Sequence, residues 1–194
     1  MKRFTGIPVV LTILFLTVGT SSAAPITWET SAGGNGHSYE LIDASINWDS
    51  ANAAAISAGG HLATIASREE NLFITNALGG SLLYYHWIGG YQPDGSVEPA
   101  GGWSWVTGET FAYNNWMPGT PPEPNNWVGN ENRIIFDHAI IADGYAWNDL
   151  IGSWNSRGYV VEYEPAPVPE PGTMILLGSG LAGLVGFGRR RINK

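Results

Sequence analysis

The sequence predicts an α+β fold, and three observations predict it. Two helical stretches occur early, several short strand-like segments surround and follow them, and between residues 108 and 132 neither period can be drawn. Two helices among many short strands point to a sheet with helices packed beside it, not to alternating βαβ units. The length, 194 residues, suits one domain with a real core and little room for a second.

Each element has its own signal. Residues 37–42 read as a first strand. Residues 48–58 are alanine-rich, with Trp48, Ala51, Ala55, Ile56 and Ala58 at helical spacing, and Gly59-Gly60 ends the helix. Residues 61–65 form a short strand. Ser67 followed three positions later by Glu70 is a capping box that opens a second helix through about Leu78, closed by Gly79-Gly80. Residues 85–90 are apolar and aromatic, and residues 102–107 alternate around Trp103 and Trp105 as a half-buried strand does. After the patternless stretch come strands at residues 133–136, 139–142, 146–150 and 158–163. A structureless loop of that length in a compact domain is uncommon, and it tends to be functional or organised by a ligand. Trp87, Trp103, Trp105, Trp116 and Trp147 are core candidates, whereas Trp127, inside the loop, is placed to touch a ligand.

The two ends follow a different logic. Lys2 and Arg3, an apolar run over residues 7–18 and the small residues Ser21 to Ala24 make residues 1–24 a secretory signal peptide. At the other end, Pro165, Pro167, Pro169 and Pro171 form a stiff linker. Val168-Pro169-Glu170-Pro171 then leads into an apolar stretch at residues 172–188, followed by Arg189-Arg190-Arg191. Residues 165–194 thus resemble a PEP-CTERM sorting tail of Gram-negative exported proteins. That resemblance implies an exosortase partner, transient insertion of the tail in the membrane, and a mature product on the envelope surface or in the extracellular matrix. An ordinary single-pass anchor is the alternative.

Without its ends the chain is strongly acidic. Of nine Lys and Arg, only Arg68, Arg133 and Arg157 lie within residues 25–170, against all seventeen acidic residues, a net charge near −14. Such a surface repels phosphate backbones and suits cations, which excludes nucleic acid. The absence of cysteine removes thiol catalysis and Cys-based metal sites.

The long loop carries Glu123-Pro124-Asn125-Asn126, then Glu131, and Trp147-Asn148-Asp149 follows near the domain's end. Glu123, Asn125, Glu131, Asn148 and Asp149 therefore offer oxygen to a cation. Calcium takes six to eight such ligands, and carboxylate and amide oxygens both serve. A Glu–Asn pair also accepts from and donates to one sugar hydroxyl while facing the ion. Two pairs around one ion would read a vicinal diol.

Further pieces recur in order: Gly60 to Ile65 with Glu69-Glu70-Asn71, Trp87-Ile88-Gly89-Gly90, Trp103-Ser104-Trp105 with Gly108, Asn115-Trp116, the Glu-Pro-Asn triplet and Trp147-Asn148-Asp149. Together they resemble the C-type lectin domain over most of residues 36–164, within a domain taken as residues 25–164. The resemblance implies two helices flanking small antiparallel sheets, with a long calcium-ordered loop. It assigns Ca2+ to Glu123, Asn125, Glu131, Asn148 and Asp149. It assigns sugar to Glu123, Asn125, Glu131 and Asn148, with Trp127 beside them. It further implies glycan or exopolysaccharide partners of the mannose, glucose, N-acetylglucosamine or fucose type, and a cis bond before Pro124. Asp94 and Glu98 with Asn126 would make a second calcium site, unless Asp94 belongs to a Pro93-Asp94-Gly95 turn and Glu98 is merely solvated.

Two departures stand out. The family's disulfide cysteines are absent, with Arg133 where one would follow Glu131. Residues 117–122 also lengthen the loop by about three positions. The alternation of acids with amides, without a nucleophile motif, points away from hydrolysis. A calcium-stabilised structural or protein-binding domain is the other function class left open.

Overall fold

Short-range signals start each element and long-range pairing fixes its length. In the computed structural model, residues 24–165 are described, with Gly172, Leu176, Leu177 and Ser179 of the tail as isolated helical positions. The expected signal peptide and nearly all of the sorting tail lie outside the described residues. No helix among the described residues is long and apolar enough to cross a membrane.

β1 (Ile26–Thr27) pairs antiparallel with β2 (Ser38–Ile46). α1 (Trp48–Ser57) begins where Asn47 accepts the Ser50 N–H at 2.9 Å, and it buries Trp48, Ala51 and Ala55 along one face. β3 (His61–Leu62) is shorter than the 61–65 run suggests, although Ala63 continues the pairing by donating to Val160 O. α2 (Arg68–Ala77) is capped by Ser67, which accepts from the Glu70 N–H at 3.2 Å. Only half of the capping box is reciprocal. The Glu70 carboxylate accepts from the Ala66 N–H at 2.7 Å, one residue before the position the motif predicts.

β4 (His86–Tyr91) runs through the core, and β5 (Ser104–Trp105) keeps only two residues of the predicted 102–107 strand. The separate strands expected at 133–136 and 139–142 are one element, β6 (Arg133–Ile141). Its register against β7 (Gly144–Leu150) shifts between Phe136 and Ile140. Asp137 and His138 break the apolar alternation there, so sequence periodicity reads a bulge as a gap. β8 (Ser156–Tyr163) ends the domain.

The sheet order is β1-β2-β8-β4-β6-β7, with β3 added to β8 and β5 to β4. The β4–β8 pairing is parallel, which joins the strands into one mixed sheet in place of separate small antiparallel ones. Alternation along β6 divides the core between its faces. Ile134 and Phe136 pack with Trp105, Trp147 and Ile74, while Ile135 packs with Trp48, Leu62 and Trp87. Of the five tryptophans expected inside, four are buried and Trp116 packs half-exposed against the first cluster.

Candidate functional site

Trp147 is the anchor on which the site is built. Its indole N–H donates to Asn71 Oδ1 of α2 at 3.0 Å, which fixes β7 against the helix. Its backbone holds the loop entrance: Trp147 N–H donates to Asn115 O, and Met117 N–H donates to Trp147 O, both at 2.8 Å. Glu123 N–H then donates to Met117 O at 2.9 Å. Residues 117–122, the lengthened part of the loop, are therefore a side excursion closed at its neck. It delivers Glu123 to the same place whatever its own length.

From Glu123 onward the backbone folds around Asp149, which is fully buried. The Glu123-Pro124 bond is cis, as the resemblance implies. Asn125 N–H donates to Asp149 Oδ1 at 2.9 Å and Asn126 N–H to Oδ2 at 2.8 Å. Asn126 takes a left-handed φ of 48°, and its Oδ1 accepts the Glu131 N–H at 3.0 Å. Trp127 N–H donates to Glu131 Oε2 at 2.5 Å. The Trp127 ring itself is 75% exposed, as expected for a side chain free to touch a ligand.

Carboxylates crowd this loop without a basic partner. Burial, then a hydrogen bond with Asp149 and the charges of Asp149, Asp137 and Glu131, push the Glu123 carboxyl up to about 8. Burial and the Asp149 charge also raise Glu131, against backbone N–H groups of Trp127 and Val128 that pull it down. Glu123 Oε2 and Asn125 Oδ1 are buried acceptors with no hydrogen-bond partner. Native structures rarely leave such oxygens unmatched. A small cation would match both and reverse the carboxylate repulsion, so the donor set fits calcium. Among the described residues no three His, Asp or Glu side chains are arranged to hold a metal by themselves. An ion here would depend on the amide oxygens as well.

The other candidates are less closely drawn in. Asn148 lies opposite Ile135 on β7, and strand alternation directs it to the face away from Asp149. Asp94 and Glu98 are exposed, and no hydrogen bond or ion pair links either to Asn126 or Glu131. Ser96 donates through both N–H and Oγ to Pro93 O, with Gly95 at φ 84°, which is the turn signalled by Pro93-Asp94-Gly95.

A second ionisable cluster had no sequence signal. His37, just before β2, and His61 of β3 both approach Glu162 and Glu164 at the end of β8. His37 Nδ1 donates to Glu162 Oε1 at 2.5 Å, and Tyr39 OH donates to Glu70 Oε1 at 2.5 Å. A cavity of about 430 Å³ opens beside them, lined by Trp28, Asn35, His37, Glu70 and Glu162 among others. Burial raises Glu70 and Glu162. Burial opposes protonation of His37, but the Glu162 hydrogen bond and the charges of Glu162, Glu164 and Glu70 outweigh it and raise that group too. Partners so far apart in the chain leave no spacing to read.

Residues 44–149 match the Lectin C-type domain, and residues 167–191 match the PEP-CTERM protein-sorting motif. The chain is 39% identical over 108 residues to a type-2 ice-structuring protein of Brachyopsis segaliensis, covering 54% of each. It is 31% identical over 137 residues to asialoglycoprotein receptor 2 of Rattus norvegicus, covering 70% of this chain and 40% of the receptor. The chain thus spans about half the length of such curated relatives. Among solved structures, the cow CD23 carbohydrate-recognition domain, determined in the presence of a GlcNAc2Man3 oligosaccharide, is similar at TM-score 0.55 and 26% identity. That match covers 68% of this chain and 90% of that one. A calcium-independent type II antifreeze protein is similar at TM-score 0.55 and 26% identity, over 75% of this chain and 98% of that one. Fold, motif order and family match agree, and the chain belongs to the C-type lectin domain family, with a PEP-CTERM sorting motif at its C-terminal end.

Proposed function

We propose that the exported domain binds sugars of the mannose, glucose, N-acetylglucosamine or fucose type through calcium, and that it does so without catalysis. The observation that carries this is the pair of buried, unmatched acceptors, Glu123 Oε2 and Asn125 Oδ1, on either side of Pro124. Glu123, Asn125, Glu131 and Asp149 would hold the ion. Calcium, when bound, supplies positive charge and coordination positions that hydroxyl oxygens can complete. The Glu123 carboxylate accepts from a hydroxyl and the Asn125 amide donates to one, which sets the hydrogen-bond polarity of the diol. Trp127, exposed beside them, offers a ring for the sugar's apolar face. The sorting motif marks the protein for export to the envelope, and exosortase removal of the tail would leave the domain at the surface or in the matrix.

A loop-ordering role without sugar is the second reading. It is favoured by the hydrogen bonds that already tie Asp149 and Glu131 to loop N–H groups, and by the likeness to a calcium-independent antifreeze protein. A glycan array probed with the exported protein, in calcium and in EDTA, separates the two. Calcium-dependent signal on mannose-type glycans, competed by free mannose, is the expected result. Equal signal in EDTA overturns the calcium-dependent reading, and no signal on any sugar while calcium still stabilises the fold transfers the site to the second reading.

A further inference from the structure

Away from the calcium loop, three aromatic rings form a corner on the surface. Consecutive residues in an extended chain send their side chains to opposite sides, yet the rings of Tyr84 and Tyr85 lie 4.1 Å apart and tilt by 35°. The cause is Tyr85 itself, whose φ of 59° is a left-handed conformation that a bulky aromatic adopts only under constraint. Two backbone hydrogen bonds impose it: Tyr85 N–H donates to Phe136 O at 3.0 Å, and Arg157 N–H donates to Tyr85 O at 2.9 Å. Trp154 stands edge-on to Tyr85, with centroids 6.3 Å apart and planes at 86°. The Trp154 side chain is 55% exposed.

The corner is concave and has a polar rim. Its cavity, about 140 Å³, is lined by Tyr85, Leu150, Trp154, Asn155, Ser156 and Arg157. Arg157 brings to it one of the three basic side chains of residues 25–170. We propose that Trp154 and Tyr85, the latter backed by Tyr84, form a second, metal-independent carbohydrate platform that takes one pyranose unit of a polysaccharide. A pyranose presents an apolar C–H face and a rim of hydroxyls. Here two aromatic residues, Trp154 and Tyr85, share the concavity with the polar residues Asn155, Ser156 and Arg157, which complements both. A protein partner fits poorly, because stable interfaces bury about 800 Å² on each side and this concavity has the size of a single ring.

Leu150 lines the corner while Asp149, its neighbour on β7, lines the loop site, and consecutive strand positions face opposite sides. The two sites therefore lie back to back at one end of the sheet, placed to engage two glycan chains at once.

The test is affinity electrophoresis of the exported protein in EDTA, through gels containing a soluble β-glucan, a galactomannan or the polysaccharide shed by the producing cells. At least one of the three retards the wild type, and Trp154→Ala weakens that retardation about tenfold or more. Tyr85→Asn removes the ring but tolerates the left-handed backbone, so it gives the same loss in a folded protein, as circular dichroism checks. Ile56→Ala, at an exposed position of α1 outside both sites, leaves the retardation in EDTA unchanged. Absence of retardation by all three polymers, or equal retardation of Trp154→Ala and Tyr85→Asn with the wild type, overturns the proposal. The calcium reading is scored separately, from the difference between calcium and EDTA gels, so either can fail without the other.

Discussion

Glu123 holds a carboxyl that its surroundings keep protonated to about 8, beside Asp149 and within reach of the Glu131 charge. Calcium should therefore raise the melting temperature of the exported protein and EDTA should lower it. Mass action sets the scale, about 2.7 kcal/mol at calcium a hundredfold above its Kd. Asn125→Ala should abolish the calcium shift while leaving the melting temperature in EDTA nearly unchanged, because it is the Asn125 backbone N–H, not its amide, that supports Asp149. Exchanging polarity with Glu123→Gln and Asn125→Asp conserves one carboxylate and one amide. Calcium affinity should survive, and array preference should move from mannose-type toward galactose-type sugars. Retained mannose preference in that double variant would mean that the sugar is read elsewhere. That Glu123, Asn125 and Glu131 lie together was legible from sequence because side chains at close spacing stay close in a loop, whereas Asp149 meets the loop from β7. The manner of assembly was not. Backbone N–H groups of Asn125 and Asn126 grip Asp149 from 24 and 23 residues away, and residue types do not encode backbone donors.

Elements divide in the same way between local and distant causes. Both helices were legible to within a residue or two, because Asn47 and Ser67 cap them from within four residues. β3 and β5 were overdrawn, since their lengths depend on partners on β8 and β4 that are distant in the chain. The contact of α2 with β2 and β8 carries a pH dependence of its own. Glu70 and Glu162 are raised above 4.5, and His37 is raised above 6.5. For groups raised on folding, the native state binds protons more tightly. Their stabilisation is full below the unfolded values and is lost as pH rises through the folded ones. The melting temperature in EDTA should accordingly fall as pH climbs from about 5 past 7. Glu162→Gln should flatten that profile, and a profile unchanged by this substitution would assign the slope to other groups.

At the scale of the whole molecule, the pairing of β4 with β8 joins the strands β1-β2-β8 to the strands β4-β6-β7 in one sheet. Arg133, at the start of β6, ties the sheet to α1. The guanidinium lies 4.5 Å over the Trp48 ring and 6.0 Å from that of Tyr91, and Arg133 packs so closely on Gly152 that a Cβ there would meet its Cγ at 2.7 Å. Arg133→Ala should cost about 1–2 kcal/mol in urea unfolding through the lost cation–π contact. A change near zero would leave Arg133 as surface decoration. The sorting motif makes a prediction at this scale too: mass spectrometry of the exported product should recover no peptide containing Arg189 to Lys194. Recovery of such peptides would indicate a permanent anchor.

The stacked Arg133 also frees the domain from dependence on its chemical surroundings. An aromatic–guanidinium clasp forms by collision and needs no electron acceptor, oxidase or isomerase to close it. With no cysteine in the chain, the fold can be completed in a reducing cytosol as readily as outside the cell, and dithiothreitol has no bond to break. A domain held in this way should keep the same urea midpoint with and without dithiothreitol.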